Sequence, residues 1–415
     1  MREGWRDVRL GELGVLLKGK GISRADLASD GVPCLRYGEI YSTYGSVTEH
    51  LVSRVENSRS NDALQLLPGD IVLAASGETA EEIGKAVAYI GRKPGRVGGD
   101  TIVIRDHGQD PIFLGNLLNS PNVVRQKARL GKGQSVVHIH APDIADILVH
   151  LPPLPEQRKI AEILRTWDEA LEKLTALRAA KVQRLEGIAQ QLLAPSRAIG
   201  RGVPQSNWAP SSFGEVFEER QDKNAGLSSD DVVTVGKYAI RKQSEHFTRS
   251  VASKDLSNYW TISPGDFVYD PMSAYYGAIG RYAGSADGIV SPAYRVIKLS
   301  PDVDPEFMVA LLRTHHIRFL LETRSSQGNK EGKRRLLQRN EFERIEFKLP
   351  PREAQREIAT KLAVFSRDLK LTELEIDALT RQKRGLMQKL LTGEWRVQLD
   401  STDDRSPKKE AQHAK

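Results

Sequence analysis

The sequence predicts a mixed α/β protein: two similar α+β globules joined by two long helices that form an antiparallel coiled coil with pseudo-two-fold symmetry. Three observations predict it. One stretch occurs twice, at 151–193 and 349–391. Each copy repeats apolar residues in heptads. Each copy follows a run of short β-patterned segments, and the second run echoes the first at low similarity.

Adding 198 to a residue number in the first copy gives its partner in the second, with no insertion. Both copies open Leu-Pro-Pro (Leu151-Pro152-Pro153, Leu349-Pro350-Pro351). Gln157-Arg158 and Gln355-Arg356 follow, then Ile160-Ala161 and Ile358-Ala359. A duplication of this length takes precedence over local features. In the first copy, steps of four and three visit Ile160, Leu164, Trp167, Leu171, Leu174, Arg178, Lys181, Leu185, Ile188 and Leu192. In the second they visit Ile358, Leu362, Phe365, Leu369, Thr372, Ile376, Leu379, Lys383, Leu386 and Leu390. Only Arg178, Lys181, Thr372 and Lys383 break these seams, which argues for a coiled coil rather than an ordinary surface helix. Pro155 and Glu156 suit a helix start, Pro195 stops the first helix and Gly393 caps the second. About 39 residues at ~1.5 Å each make a rod of roughly 58 Å. If the rods pair about their midpoints, residue n lies opposite 550 minus n. Arg178 then faces Thr372, and Trp167 faces Lys383.

At 415 residues the chain can hold two or three domains. Its net charge of +7 suits a polyanionic partner. The single cysteine, Cys34, excludes an internal disulfide and fits a reducing cytoplasm. Met1 to Leu10 carries no apolar run, so no signal peptide is expected, and no window reaches the ~20 apolar residues of a membrane span.

In order along the chain, residues 1–150 make the first globule. Strands are expected at Val32–Tyr37, Ile71–Ala74, Ala86–Ile90, Thr101–Ile104 and Val136–Ile139, with a helix at Pro111–Asn119. Two glycine-rich basic loops, Lys18–Arg24 and Arg125–Gln134, interrupt them. Residues 151–194 are the first, central helix, and 195–207 a Pro/Gly/Ser/Arg linker. The second globule, 208–348, repeats the layout: Trp208 echoes Trp5, and Pro264-Gly265-Asp266 echoes Pro68-Gly69-Asp70. A helix near Pro305–Arg313 and a basic loop at Arg324–Arg335 precede the second long helix, 349–397. Residues 398–415 lack an apolar face and read as a disordered tail.

Two unlike globules on two near-identical rods suit a duplex ligand. Rods can set the distance between heads, and reading two major-groove segments from one face needs centres ~34 Å apart. The repeated Leu-Pro-Pro…Gln-Arg…Ile-Ala start, the heptad helix and the duplicated globule resemble the specificity (S) subunit of type I restriction–modification systems over nearly the whole chain. The second copy departs at Arg352-Glu353-Ala354, where the first has Leu154-Pro155-Glu156. The resemblance implies a non-catalytic subunit with two target-recognition domains that read an asymmetric bipartite site on double-stranded DNA. It implies docking of methyltransferase (M) subunits, two in number, carrying S-adenosylmethionine and acting on adenine. It further implies restriction (R) subunits that use ATP and magnesium, and a chain that binds no cofactor itself.

Residue chemistry then selects DNA contacts, with Lys and Arg for phosphates and polar or aromatic groups for base edges. In the first globule these are Lys18, Lys20, Arg24, Arg36, Tyr37, Arg125, Lys127, Lys132 and Gln134. In the second they are Lys237, Tyr238, Arg241, Lys242, Tyr275, Tyr276, Arg324, Gln327, Lys330, Lys333, Arg334 and Arg335. Asp270-Pro271-Met272-Ser273 resembles an amino-methyltransferase motif but lacks its second proline and aromatic ring. Pro301-Asp302…Glu331-Gly332-Lys333 fits a magnesium-nuclease layout on paper, which leaves a stand-alone site-specific nuclease as one alternative. A coiled-coil scaffold without DNA binding is the other. His138, His140, His315 and His316 have no partners at metal spacing, so no metal site is expected.

Overall fold

The computed structural model describes residues 4–60, 62–193, 207–226, 229–237, 239–243, 255–327 and 335–398. The expected linker apart from Asn207, and the expected tail apart from Gln398, lie outside the described residues. The chain divides into two compact units, Met1–Thr175 with Glu375–Lys415, and Ala176–Leu374. The long helices run Leu154–Leu193 and Arg352–Leu391, so the second starts at the place equivalent to the first despite its different opening residues. Among the described residues no helix is long and apolar enough to cross a membrane.

The first unit is built on a five-stranded sheet in the order Val15–Lys18, Thr101–Arg105, Ile71–Ala74, Ala86–Tyr89, Val47–Thr48. Alternation along its strands serves two cores. Ile71, Leu73, Ala86, Ala88, Ile102 and Ile104 face a core shared with helices Pro111–Leu118 and Pro121–Leu130. Val72, Ala74, Val87, Tyr89 and Val103 face a second core, shared with Leu35, Leu66 and Val97 of a four-stranded sheet. Burial on both faces is why these strands read as continuous apolar runs. The strand Arg6–Arg9 pairs antiparallel with Leu148–Leu151, so the residue opening the repeat is already tied to the start of its own head.

The second unit repeats this plan. Phe217–Arg220, Arg295–Leu299, Phe267–Tyr269 and Ile279–Arg281 form an antiparallel sheet. Phe267, Tyr269 and Ile297 face one core, and Val268 and Val296 the other. Ala209–Ser212 pairs with Glu346–Leu349, as Arg6–Arg9 does with its partner. Helices Pro305–Leu312 and His315–Arg324 complete it.

Several local expectations are corrected. The strand expected to reach Tyr37 ends at Leu35, and Tyr37–Ser42 is helical. The Glu39 carboxylate accepts the Arg36 N–H at 3.2 Å and caps that helix. The basic loop expected from Arg125 is helical up to Leu130, because Ser120-Pro121 opens a helix that buries Val123 and Lys127. The strand expected at Val136–Ile139 is only Val137–His138.

In each unit a half of one long helix packs antiparallel on a half of the other. In the first unit, Ile160, Ala161 and Leu164 join Leu390 and Leu391 inside the head core, and Lys383 pairs with Asp168. The chain then folds back. The Arg396 guanidinium grips the buried Glu156 carboxylate at 2.7 and 3.0 Å, and Trp5 Nε1 donates to the same carboxylate at 3.2 Å. In the second unit, Ile358, Ala359 and Leu362 join Leu193 in the other head core. Arg178 pairs with Glu373 at 2.8 Å, Lys181 reaches Asp368 at 2.8 Å and Thr372 at 2.9 Å, and Arg184 lies over Phe365. The cations therefore choose carboxylates beside the seam, one position from the residues expected to face them. Trp167, Leu171, Leu174, Leu369, Ile376, Leu379 and Leu386 are half-buried, as a two-helix seam with open sides dictates.

Removing one partner of a buried charge pair leaves the other unsatisfied. Arg396→Ala should lower the melting temperature by several degrees, and adding Glu156→Gln should restore most of it. A melt unchanged by Arg396→Ala would show that this clasp contributes nothing.

Candidate nucleic-acid interface

Four turns far apart in the first head are stitched into one edge. The Gly19 N–H donates to Thr101 O at 3.0 Å and the Gly99 N–H to Gly21 O at 2.8 Å. The Ala75 N–H donates to Asp100 O at 2.8 Å, and the Ile139 N–H to Ala75 O at 2.9 Å. These bonds bring the Lys18–Arg24 loop and the Lys132–His138 arm to the same sheet end. A Cβ on Gly19 would stand 2.1 Å from Gly98 O, so only glycine fits there. Ile22 and Asp100 both hold φ near +54°, a strained state for a side-chain-bearing residue and costliest for the β-branched Ile22. Ser76 Oγ and His138 Nδ1 hydrogen-bond at 2.9 Å, and the Tyr41 hydroxyl donates to Ser76 O at 3.0 Å, bringing in the helix that starts at Tyr37.

The second head keeps the key bond and changes its surroundings. The Leu337 N–H donates to Pro271 O at 2.8 Å, as Ile139 does to Ala75. Ser326–Gln327 pairs with Arg335–Leu336 to form an arm, and the turn Ala274–Tyr276 lies beside it. The Arg335 guanidinium sits over the Tyr275 ring at 5.4 Å and pairs with Glu322 at 3.0 Å. Tyr276, Met272 and Leu336 are exposed.

Apart from Tyr275, Arg335 and Lys127, the candidate contacts fall into four groups. Lys18, Lys20, Arg24, Lys237 and Arg241 are exposed and, among the described residues, make no ion pair; Tyr37, Gln134 and Tyr276 are exposed too. Arg36 is bound to Glu39, Lys132 to Asp143, Lys242 to Asp231 and Arg324 to Glu341, while Arg125 bonds Asn122. Gln327 lies in the arm strand. Tyr238, Lys330, Lys333 and Arg334 lie outside the described residues, as does Glu331.

Lys127 is corrected outright. It is 1% exposed, and its ammonium donates to Gly84 O at 2.5 Å, so it faces the core rather than a phosphate. Leu321 holds the same helical position in the second head. The described parts of the methyltransferase-like and nuclease-like motifs are turns: the Asp270 carboxylate accepts the Met272 N–H at 2.9 Å, and Pro301 O accepts from Arg352. No group of His, Cys, Asp and Glu among the described residues is placed to hold a metal. Ser76, Tyr41, His138 and the Gly98–Asp100 turn belong to the edge but were not singled out as contacts. Gly98-Gly99-Asp100 is a turn signal in the sequence that marks this sheet end.

Burial lowers the Lys127 pKa from 10.5 to about 7. Below about 7 the buried amine must carry its proton at full cost, and that cost fades as pH rises toward 10.5, where the unfolded chain also loses the proton. Lys127→Leu should therefore raise the melting temperature at pH 7 and lose that advantage above pH 10. An equal melt at pH 7 would contradict this. Lys20→Ala with Arg24→Ala should weaken binding to all duplexes alike and reduce the salt slope by roughly two. An unchanged slope would remove the loop from the interface.

The chain is similar to known proteins over most of its length. Residues 2–182 match the family model described as the type I restriction modification DNA specificity domain. The chain is 24% identical to the type I restriction enzyme MjaVIII specificity subunit of Methanocaldococcus jannaschii, over 95% of this chain and 94% of that one. It superposes on the type I restriction–modification S subunit from M. genitalium with a TM-score of 0.56 at 15% identity, covering 93% and 96% of the two chains. A chain from a study of complex assembly and conformational transition in a type I system gives 0.55 at 17% identity, covering 95% and 99%. Residues 2–182 thus match the type I restriction modification DNA specificity domain, and the chain from end to end is similar to type I specificity subunits.

Proposed function

We propose that this chain is the specificity subunit of a type I restriction–modification complex, reading an asymmetric, bipartite DNA site. The observation that carries the reading is the pair Ile139–Ala75 and Leu337–Pro271. One backbone bond pins an arm to the sheet end in both heads, while the side chains on the arms differ. Equal frames with unlike edges suit two different half-sites. Lysine and arginine on the Lys18–Arg24 loop and the arms supply sequence-independent attraction. In this reading Gln134, Tyr37 and Tyr276, all exposed, discriminate bases.

In this reading 1–150 and 208–348 are the target-recognition domains, and the long helices dock two M subunits that methylate adenine with S-adenosylmethionine. R subunits bring ATP and magnesium, and the complex works in the cytoplasm. This chain recognises and its partners react.

Mapping methylated adenine genome-wide in cells with and without the chain tests it. Loss of one split motif is expected. Unchanged methylation, or cutting of DNA by the lone chain with magnesium, would overturn the reading, the latter in favour of a nuclease.

A further inference from the structure

Gln157 and Gln355 are each 1% exposed, and each amide acts as both donor and acceptor. Gln157 Oε1 accepts the Asp110 N–H at 3.1 Å, and its Nε2 donates to Pro152 O at 2.9 Å and to Gln109 Oε1 at 2.8 Å. Gln355 Oε1 accepts the Asp304 N–H at 2.7 Å, and its Nε2 donates to Pro350 O at 2.9 Å. Asp110 and Asp304 cap the helices Pro111–Leu118 and Pro305–Leu312. A cap residue's own N–H has no partner within its helix and is met, in a capping box, by Glu or Gln at the third position. Here that position holds Phe113 or Phe307, both buried, so the long helix supplies the missing acceptor. The same amide holds the Leu-Pro-Pro strand end. One side chain thus joins head helix, strand end and first turn of the long helix, in duplicate.

A joint of this kind resists tilt. At ~1.5 Å per residue a 40-residue helix is about 60 Å long, so a tilt of about 5° at its start moves the far end by about 5 Å. A base-pair step is ~3.4 Å. Uncorrected tilt would therefore blur the count of unread base pairs.

We propose that Gln157 and Gln355 are positioning residues that set which spacer length is accepted between half-sites, without contacting DNA. The proposal rests on the DNA reading above. A merely structural glutamine would affect stability and overall activity but leave spacer choice alone.

Cells lacking the chain are supplied with the full-length wild type, Gln157→Met, Gln355→Met or the double variant, and methylated adenines are mapped by spacer length. Methionine keeps the volume and removes the amide's hydrogen bonds, three at Gln157 and two at Gln355. The expected result is unchanged half-site sequences with methylation at spacers one base pair longer or shorter raised about tenfold, most in the double variant. If the double variant fails to accumulate, the single variants are read in the same way. An unchanged spacer profile, a changed half-site sequence, or failure of the single variants to accumulate would each overturn the proposal. A wild type that yields no split motif would instead overturn the DNA reading itself.

Discussion

Each head meets its long helix through a side-chain amide sealed from water, and the rest of the structure depends on that contact. Around Gln157 the helix buries Ile160, Ala161 and Leu164 in the head's own core; around Gln355 it buries Ile358, Ala359 and Leu362. A buried amide that loses either bond leaves a polar group desolvated without compensation. Apolar burial supplies the adhesion, and the amide's directional bonds select one orientation. A head that rocked on its helix would have to open its core.

Where the two halves must do the same thing, they have stayed the same. The Leu-Pro-Pro turn, the glutamine and the Asp-Pro cap recur with the same pair of hydrogen bonds. Divergence lies elsewhere. The first unit has Glu156, clasped by Arg396 and Trp5, where the second has Ala354. Lys127 stands where the other head has Leu321, and its burial costs stability that an apolar residue would not. The arms keep their backbone pin and change their side chains. This is the pattern expected of one frame presenting two different surfaces.

Much of the frame was legible because it is periodic. Heptads define the long helices, and runs such as Ile71–Ala74 and Thr101–Ile104 read as strands because both sheet faces are buried. Bonds between residues distant in sequence carry no period, so the stitching of Gly21 to Gly99 and Ala75 to Ile139 was not visible. Composition misled at Arg125–Gln134, where basic and glycine residues suggested a loop although Ser120-Pro121 starts a helix. The same bias promoted Lys127, since nothing in a sequence tells a buried amine from a solvated one. Arg36 and Arg324 looked available and are engaged by nearby carboxylates. The glutamines themselves were in plain view as part of the repeat, but their role needs the cap N–H they bind.

Native-state hydrogen exchange on the full chain tests most directly whether head and long helix form one body in each unit. The amides of Asp110 and Asp304 are the informative probes, because their acceptors are glutamines on the long helices. If the joint is rigid, both exchange only with the slowest core amides of their own head, such as Val72 and Val268. Fast exchange at Asp110 and Asp304 while those cores stay protected would show that the helices swing free of the heads.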